Sequence, residues 1–410
     1  MSARGEFSSR IGFVLAAAGS AVGLGNIWGF PTQVASNGGA AFVLVYVLLA
    51  FVLAYPVLMA ELIIGRATRA NMVDALGKIS NSNIGRATGV WGFVTVSMIL
   101  AFYAIVAGWM ISYFFESATQ LMGWDSASQW LTDSSMSRSL IFCGVFIALT
   151  ASIVVGGVSN GIERWSVRLM PTLILIILLL IAYVSTLDGA IDGWKAYLIP
   201  DFSAILNADL LISAMGQAFF SMSLGVGTML VYGSYVSKNE NLPVLGASVA
   251  LVDIGVAILA GMLIIPAMYV AANNGVQIFS DSGALIAGDS LIFTVLPALF
   301  ETMGVIGYVV AFAFFALMVI AALTSSISML EVPVAYVVES KGLARKKAVW
   351  VIALIIFVMS SIIIINFDQL FGLVISITTQ YSQPLLGLAL SIFVGWVLKR
   401  DQILAEIKQG

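Results

Sequence analysis

Charge in this chain comes in short clusters, and the stretches between them run for about 20 residues with no charged side chain or only one. No other feature constrains the fold as much, because such a stretch suffices for a helix to cross a hydrocarbon core of about 30 Å. Composition agrees: of 410 residues, 60% are apolar and 10% charged, with a mean hydropathy of +1.05. A soluble domain of this size would need a far more polar surface. The net charge of −3 gives no basis for a nucleic-acid partner. Cys143 is the only cysteine, which rules out an intrachain disulfide and a thiolate metal site. Histidine is absent, so the side chain best suited to proton relay near neutral pH is missing. Met1 to Arg10 is short and polar, and no cleaved signal peptide is expected.

Apolar runs between charged or Pro/Gly/Asn punctuation predict ten spans, at 11–35, 40–66, 90–118, 139–157, 168–186, 207–236, 243–272, 303–338, 346–366 and 369–398. They are too long for barrel strands and lack the alternation of barrel strands. Of the 18 Lys and Arg, only Arg138 and Lys195 fall on one side of this bundle. The basic side is therefore expected to be cytoplasmic, with both termini facing in. Segment 274–301 has no Lys or Arg but carries Asp281, Asp289 and Glu301, as an external loop with a re-entrant or surface helix would.

Two spans are chemically unusual. The first holds Gly19-Ser20-Ala21-Val22-Gly23-Leu24-Gly25-Asn26, followed by Pro31, and the sixth holds Ser221-Met222-Ser223-Leu224-Gly225-Val226-Gly227. Glycine weakens a helix by up to about 1 kcal/mol relative to Ala. One such span could reflect close packing through small residues. Two in corresponding positions, first in each set of five, point to a transporter built of inverted repeats with a site at the midplane. Unwinding frees carbonyls suited to a cation and N–H groups suited to a carboxylate, and an α-amino acid with sodium meets both demands.

These residues carry a family resemblance. Ala18 to Trp28 with Phe30-Pro31, Gly216 to Gly225, and Ala321-Ala322-Leu323-Thr324-Ser325-Ser326 resemble the first, sixth and eighth helices of the neurotransmitter:sodium symporters, in the style of the bacterial amino-acid transporters. The resemblance spans 8–398 as a single transporter domain. It implies an all-α polytopic membrane protein of the cell inner membrane with the leucine-transporter-like fold. Its ten-helix core would be two inverted five-helix repeats, 1–190 and 191–400, with helices 1 and 6 unwound. The implied activity is sodium-coupled symport of a neutral, hydrophobic or aromatic amino acid by alternating access.

The resemblance also implies roles. A first sodium site would use the Ala21 carbonyl, Asn26, Ser221 and Asp253, and a second the carbonyls of Gly19, Val22 and Ala321 with the hydroxyls of Thr324 and Ser325. The substrate pocket would comprise Ala21, Gly23, Leu24, Gly25, Ile99, Tyr103, Phe220, Ser221, Ser223, Val226, Ser326 and Met329. Tyr103 resembles the tyrosine that bonds the substrate carboxylate. Gly23 stands where monoamine carriers have an aspartate, which argues for a substrate bringing its own carboxylate. No charged residue aligns with the side-chain part of the pocket, so a charged substrate side chain would be buried unpaired.

Asp253 also stands out without the resemblance, since a carboxylate in an apolar span is by default functional. Chloride-dependent relatives have a serine where this chain has Ala257, while Tyr46, Gln217 and Ser221 match the surroundings of a chloride site. The Asp253 carboxylate is expected to supply that negative charge, with no requirement for chloride. The family's outer gate pairs an arginine and an aspartate, and the matching positions here read Gly29 and Gly372. A gate closed by packing of Tyr103, Phe220 and Gln33 is expected instead. At the inner gate Arg4 would pair with Glu339, braced by Ser234 and Tyr235.

Other readings fit less well. An enzyme would need a nucleophile and base, and no such constellation is visible. A channel would show rings of repeated polar motif. A sensor that binds without transporting would keep the same pocket.

Overall fold

The computed structural model describes residues 5–133, 135–202, 205, 207–279, 285 and 291–408, and among them every regular element is a helix. Helix is the form expected in a bilayer, where each backbone N–H and C=O must be satisfied within its own segment. Seven helices are long and apolar enough to cross a membrane singly: α2 (Ala40–Thr68), α3 (Asn83–Leu121), α4 (Met136–Val155), α5 (Val158–Val184), α7 (Leu242–Asn273), α8 (Val305–Lys341) and α9 (Arg345–Ile365).

The first predicted span is a bent pair, α1a (Arg10–Ala21) and α1b (Gly25–Ser36), meeting at 54°. The last is α10 (Phe367–Val397), which turns by 104° into a short helix, Arg400–Lys408. The sixth is two pieces, α6a (Ala208–Ser221) and α6b (Thr228–Gly233), with six non-helical residues between them. Helices thus cover all ten expected stretches, nine of which are long and apolar enough to cross a membrane singly or as a bent pair. The structure adds Met72–Ser80, Asp125–Thr132 and Ala190–Leu198 in the connections. It also adds Leu291–Thr302 within the acidic segment, whose Asp281 and Asp289 lie outside the described residues.

Boundaries follow local chemistry. Ser9, Ser82, Ser135, Asn207 and Asn241 cap helix N-termini by accepting from backbone amides two or three residues on. Gly342 ends α8 at φ +69°. Helix α3 starts seven residues before its predicted boundary at 90, because Ser82 caps it and Arg86 lies on its first turns, beyond the apolar run.

The most extensive helix pairing is α3 against α8 at the centre, with α1a wedged among α5, α7 and α8. Apolar side chains left exposed, such as Leu48 on α2, Leu179 on α5 and Leu354 on α9, form the face the bundle turns to lipid.

Candidate functional site

Helix α1a stops where Val22 takes an extended conformation (φ −68°, ψ 106°). Asn26 then ties the break: its Oδ1 accepts from Gly23 N at 3.1 Å. Its Nδ2 reaches across to α6a and α7, donating to Ser221 Oγ at 2.9 Å and to Asp253 Oδ1 at 2.7 Å. Ser221 Oγ donates to the other Asp253 oxygen at 2.9 Å and receives from Tyr46 Oη at 3.2 Å. Asn26, Ser221 and Asp253, far apart in sequence, therefore form one fully buried polar cluster. Ala257 is buried nearby on α7, and Gln217 Nε2 donates to Gly25 O at 2.7 Å.

A second cluster lies on the α8 side of the same break. Thr324 Oγ1 lies 3.4 Å from Val22 O and 3.0 Å from Ala321 O. Ser325 Oγ lies 3.4 Å from Gly19 O, 3.1 Å from Ser20 O and 3.1 Å from Val22 O. The sequence put Gly19, Val22, Ala321, Thr324 and Ser325 in one set, and they converge. Ser20, which was not in that set, joins them. Each hydroxyl has one proton, so Thr324 and Ser325 cannot satisfy the carbonyls of Gly19, Ser20, Val22 and Ala321 together, even with Ser223 Oγ also on Ser20 O. An acceptor-rich, all-oxygen pocket of this kind suits a hard cation.

Between the breaks lies a small cavity. Its wall contains Ala21, Gly23, Leu24, Gly25, Ile99, Tyr103, Phe220, Ser223, Val226 and Met329, all expected there. Tyr103 Oη accepts from Leu24 N at 3.2 Å, so it already sits on an amide freed by the break. A Cβ on Gly23 would overlap Ser325 Oγ and lie 2.8 Å from Tyr103 Oη, which leaves no room for a side chain at that position.

Two expected pocket residues sit elsewhere. Ser221 belongs to the Asp253 cluster, and Ser326 is turned to α4, its Oγ 2.8 Å from Thr150 Oγ1. On a helix, adjacent residues point about 100° apart, so Ser325 lines the cavity and Ser326 faces away from it. Gln383 of α10 also lines the cavity, and no sequence motif indicated it.

The α6 break is held differently. Ser223, Gly225 and Gly227 all have positive φ (+52°, +83° and +78°). Fully buried Glu61 of α2 caps the turn, accepting from Gly225 N at 2.6 Å and Leu230 N at 3.2 Å. A carboxylate at the start of α6b also meets the positive end of that helix. Glu61 was not singled out in the sequence, although an acid inside the second apolar span was a sufficient signal.

At the end rich in Lys and Arg, a second overlooked acid organises the closure. Buried Glu331 accepts from Arg345 at 2.6 and 3.0 Å and from Tyr235 Oη at 2.7 Å. Arg345 also donates to Val154 O at 2.8 Å. Glu339 accepts from Asn71 N at 2.9 Å, Ser234 Oγ bonds Val231 O, and Arg4 lies outside the described residues.

The opposite end opens as a vestibule of about 580 Å³, with no charged side chain in its wall among the described residues. Trp28, Gly29, Gln33, Tyr103, Gln217 and Phe220 line it, facing Ile375, Thr379 and Gln380 of α10. Of the two positions expected to match the outer-gate pair, Gly29 lines the vestibule and Gly372 does not. Gly372 is exposed, and a Cβ there would meet nothing within 4 Å. It lies a turn further out, and Ile375 occupies the facing level.

Comparisons with known proteins agree with this geometry. The sequence model of the sodium:neurotransmitter symporter family matches residues 4–140 and 134–410. An uncharacterized sodium-dependent transporter of Bacillus subtilis is 37% identical, over 99% of this chain and 90% of its own. The bovine (Bos taurus) sodium-dependent neutral amino acid transporter B(0)AT2 is 24% identical, over 66% of this chain and 41% of its own. The crystal structure of MhsT in complex with L-phenylalanine superposes with a TM-score of 0.86 at 36% identity, covering 99% of this chain and 93% of that one.

Proposed function

The chain belongs to the sodium:neurotransmitter symporter family, a multi-pass, sodium-dependent membrane transporter with the leucine-transporter-like fold and not an enzyme, and from that premise we propose that it carries a neutral, hydrophobic or aromatic amino acid into the cell. The observation that carries this reading is the placement of two oxygen-rich clusters on either side of one cavity at the α1 break.

In this reading each cluster holds one sodium ion. Ala21, Asn26, Ser221 and Asp253 form the first site, and Gly19, Val22, Ala321, Thr324 and Ser325 the second. Both ions draw on carbonyls that α1 exposes only while it is broken, so ion binding and the shape of the pocket are coupled. The substrate carboxylate is received by Tyr103 Oη and the amides around Leu24 and Gly25. Among the described residues no Lys, Arg, Asp or Glu lines the cavity, which supports a neutral side chain. MhsT, solved with L-phenylalanine, has a similar fold.

Residues 1–190 and 191–400 would be the two inverted repeats whose relative rocking exposes the site to each side in turn. The basic end would face the cytoplasm of an inner membrane, with both termini inside. Closure there rests on Glu331, Arg345 and Tyr235 together with the Glu339 region, whereas the outer closure is uncharged packing. The Asp253 carboxylate, beside Tyr46 and Ser221, stands in for chloride.

Thermal unfolding of the purified protein with the common amino acids, in sodium and in choline buffer, tests the reading. Stabilisation by a few neutral amino acids in sodium alone is expected. Stabilisation that is equal in choline, or given by none of them, would defeat it.

A further inference from the structure

The polar groups of the central cavity are unevenly distributed. Tyr103 Oη, Ser223 Oγ and Ser325 Oγ are all engaged with α1 backbone between Ser20 and Leu24. They surround the place where the backbone groups of an amino acid would sit. Gln383 alone comes from α10, on another wall of the cavity. Gln383 is buried (3% exposed), and among the described residues its Oε1 has no hydrogen-bond partner. Buried acceptors are rarely left in that state.

Gln383 is also held firmly in place. A Cβ on Gly225 (φ +83°) would run into Gln383 O and lie 2.9 Å from Gly387 N. The α10 backbone therefore lies directly on the α6 break, and only glycine permits the approach. Gln383 borders the outer vestibule as well, so it stands in the partition between vestibule and cavity.

We propose that Gln383 is a specificity-determining residue, selecting among neutral amino acids those whose side chain carries a hydrogen-bond donor. The proposal rests on reading the cavity as an amino-acid site. The other side-chain walls, Ile99, Val226 and Met329, are apolar and discriminate only weakly between a side chain and its hydroxylated isostere. A buried carbonyl oxygen without a partner discriminates strongly, since the apolar analogue leaves it unpaired. It asks for a neutral hydroxyl or ring N–H, because among the described residues no counter-ion for a charged group lines the cavity.

Competition binding to the full chain in sodium buffer tests this with matched pairs, tyrosine against phenylalanine and threonine against valine. In whichever pair the cavity accommodates, the hydroxylated member should bind roughly tenfold tighter. Gln383→Leu and Gln383→Met should bring that ratio to within about threefold of unity while binding remains sodium-dependent. Two variants are used so that poor folding of one leaves the other decisive. Equal binding or preference for the apolar member by the unaltered protein, or a ratio unchanged in the variants, would overturn the assignment. Loss of the underlying reading looks different: the unaltered protein would then show no sodium-dependent binding of any neutral amino acid.

Discussion

The two broken helices are alike in sequence, each rich in glycine and small polar residues, yet the protein holds them in opposite ways. At the α1 break the ties are neutral: the Asn26 side chain and Tyr103 Oη accept from Gly23 N and Leu24 N. The carbonyls of Gly19, Ser20, Val22 and Ala321 outnumber the three hydroxyls, of Ser223, Thr324 and Ser325, that face them. At the α6 break a fully buried carboxylate, Glu61, takes up the freed amides. One break is left with capacity for cations, and the other is satisfied within the protein. Unwound backbone is therefore not a ligand site in itself. What decides is which freed groups the surrounding helices leave unclaimed.

Removing the tie at α6 should have the largest effect. Glu61→Ala leaves the amides of Gly225 and Leu230 buried without an acceptor, a loss of about 2–5 kcal/mol. It should appear as a large drop in thermal stability with or without sodium. Glu61→Gln keeps one acceptor oxygen and should lose less. If Glu61→Ala were as stable as the unaltered protein and only sodium binding suffered, the contrast between the breaks would fail.

Asp253→Asn acts on the other break and should separate binding from stability. Asn26 and Ser221 keep hydrogen-bonding partners, but the negative charge goes. Sodium affinity is expected to fall about tenfold, or ~1.4 kcal/mol, with little change in the unfolding temperature without sodium. If that carboxylate stands in for chloride, uptake by the unaltered protein should not change when chloride is replaced with gluconate. Uptake that dropped to background in gluconate would remove Asp253 from that role.

The smallest effect sharpens the comparison. Ser223 holds φ +52° and donates to Ser20 O at 3.2 Å, linking the two breaks. Ser223→Gly relieves the left-handed conformation but loses that bond, so stability should change by no more than about 1 kcal/mol. Sodium titration should give an unchanged midpoint. A clear loss of sodium affinity would mean that α6 takes part in the cation site through this hydroxyl.

The two ends of the bundle differ along the same lines. A buried carboxylate holds the basic end, where Glu331 gathers the partly buried Arg345 and Tyr235. The vestibule end has amides, aromatic rings and Gly29. Breaking a buried ion pair by removing one partner leaves an uncompensated charge, whereas a packed uncharged gate opens without that penalty.

Much of this was legible in the sequence because the bilayer imposes strong rules. Length and apolarity set the ten spans, glycine and small polar residues marked both breaks, and the serine–threonine run on α8 placed the second cluster. Glu61 and Glu331 were equally visible as acids in apolar spans, but their partners, the Gly225 amide and Arg345, are set by how distant helices meet. The facing of α10 was the least accessible. Polar residues at Ser376, Thr378, Thr379, Gln380, Ser382 and Gln383 fall on several faces of its middle, so no single amphipathic stripe fixes its rotation or its register by one turn. The widened turns at Ser376–Ser382 shift the phase again before Gln383. The sequence alone thus determined a sodium-transporter scaffold with two broken helices, because backbone satisfaction in lipid and glycine placement are local properties. Tertiary packing alone decided that Ile375 stands where Gly372 was expected, that Ser325 and not Ser326 lines the cavity, and that Gln383 completes its wall, because helix rotation is settled by neighbours and not by composition.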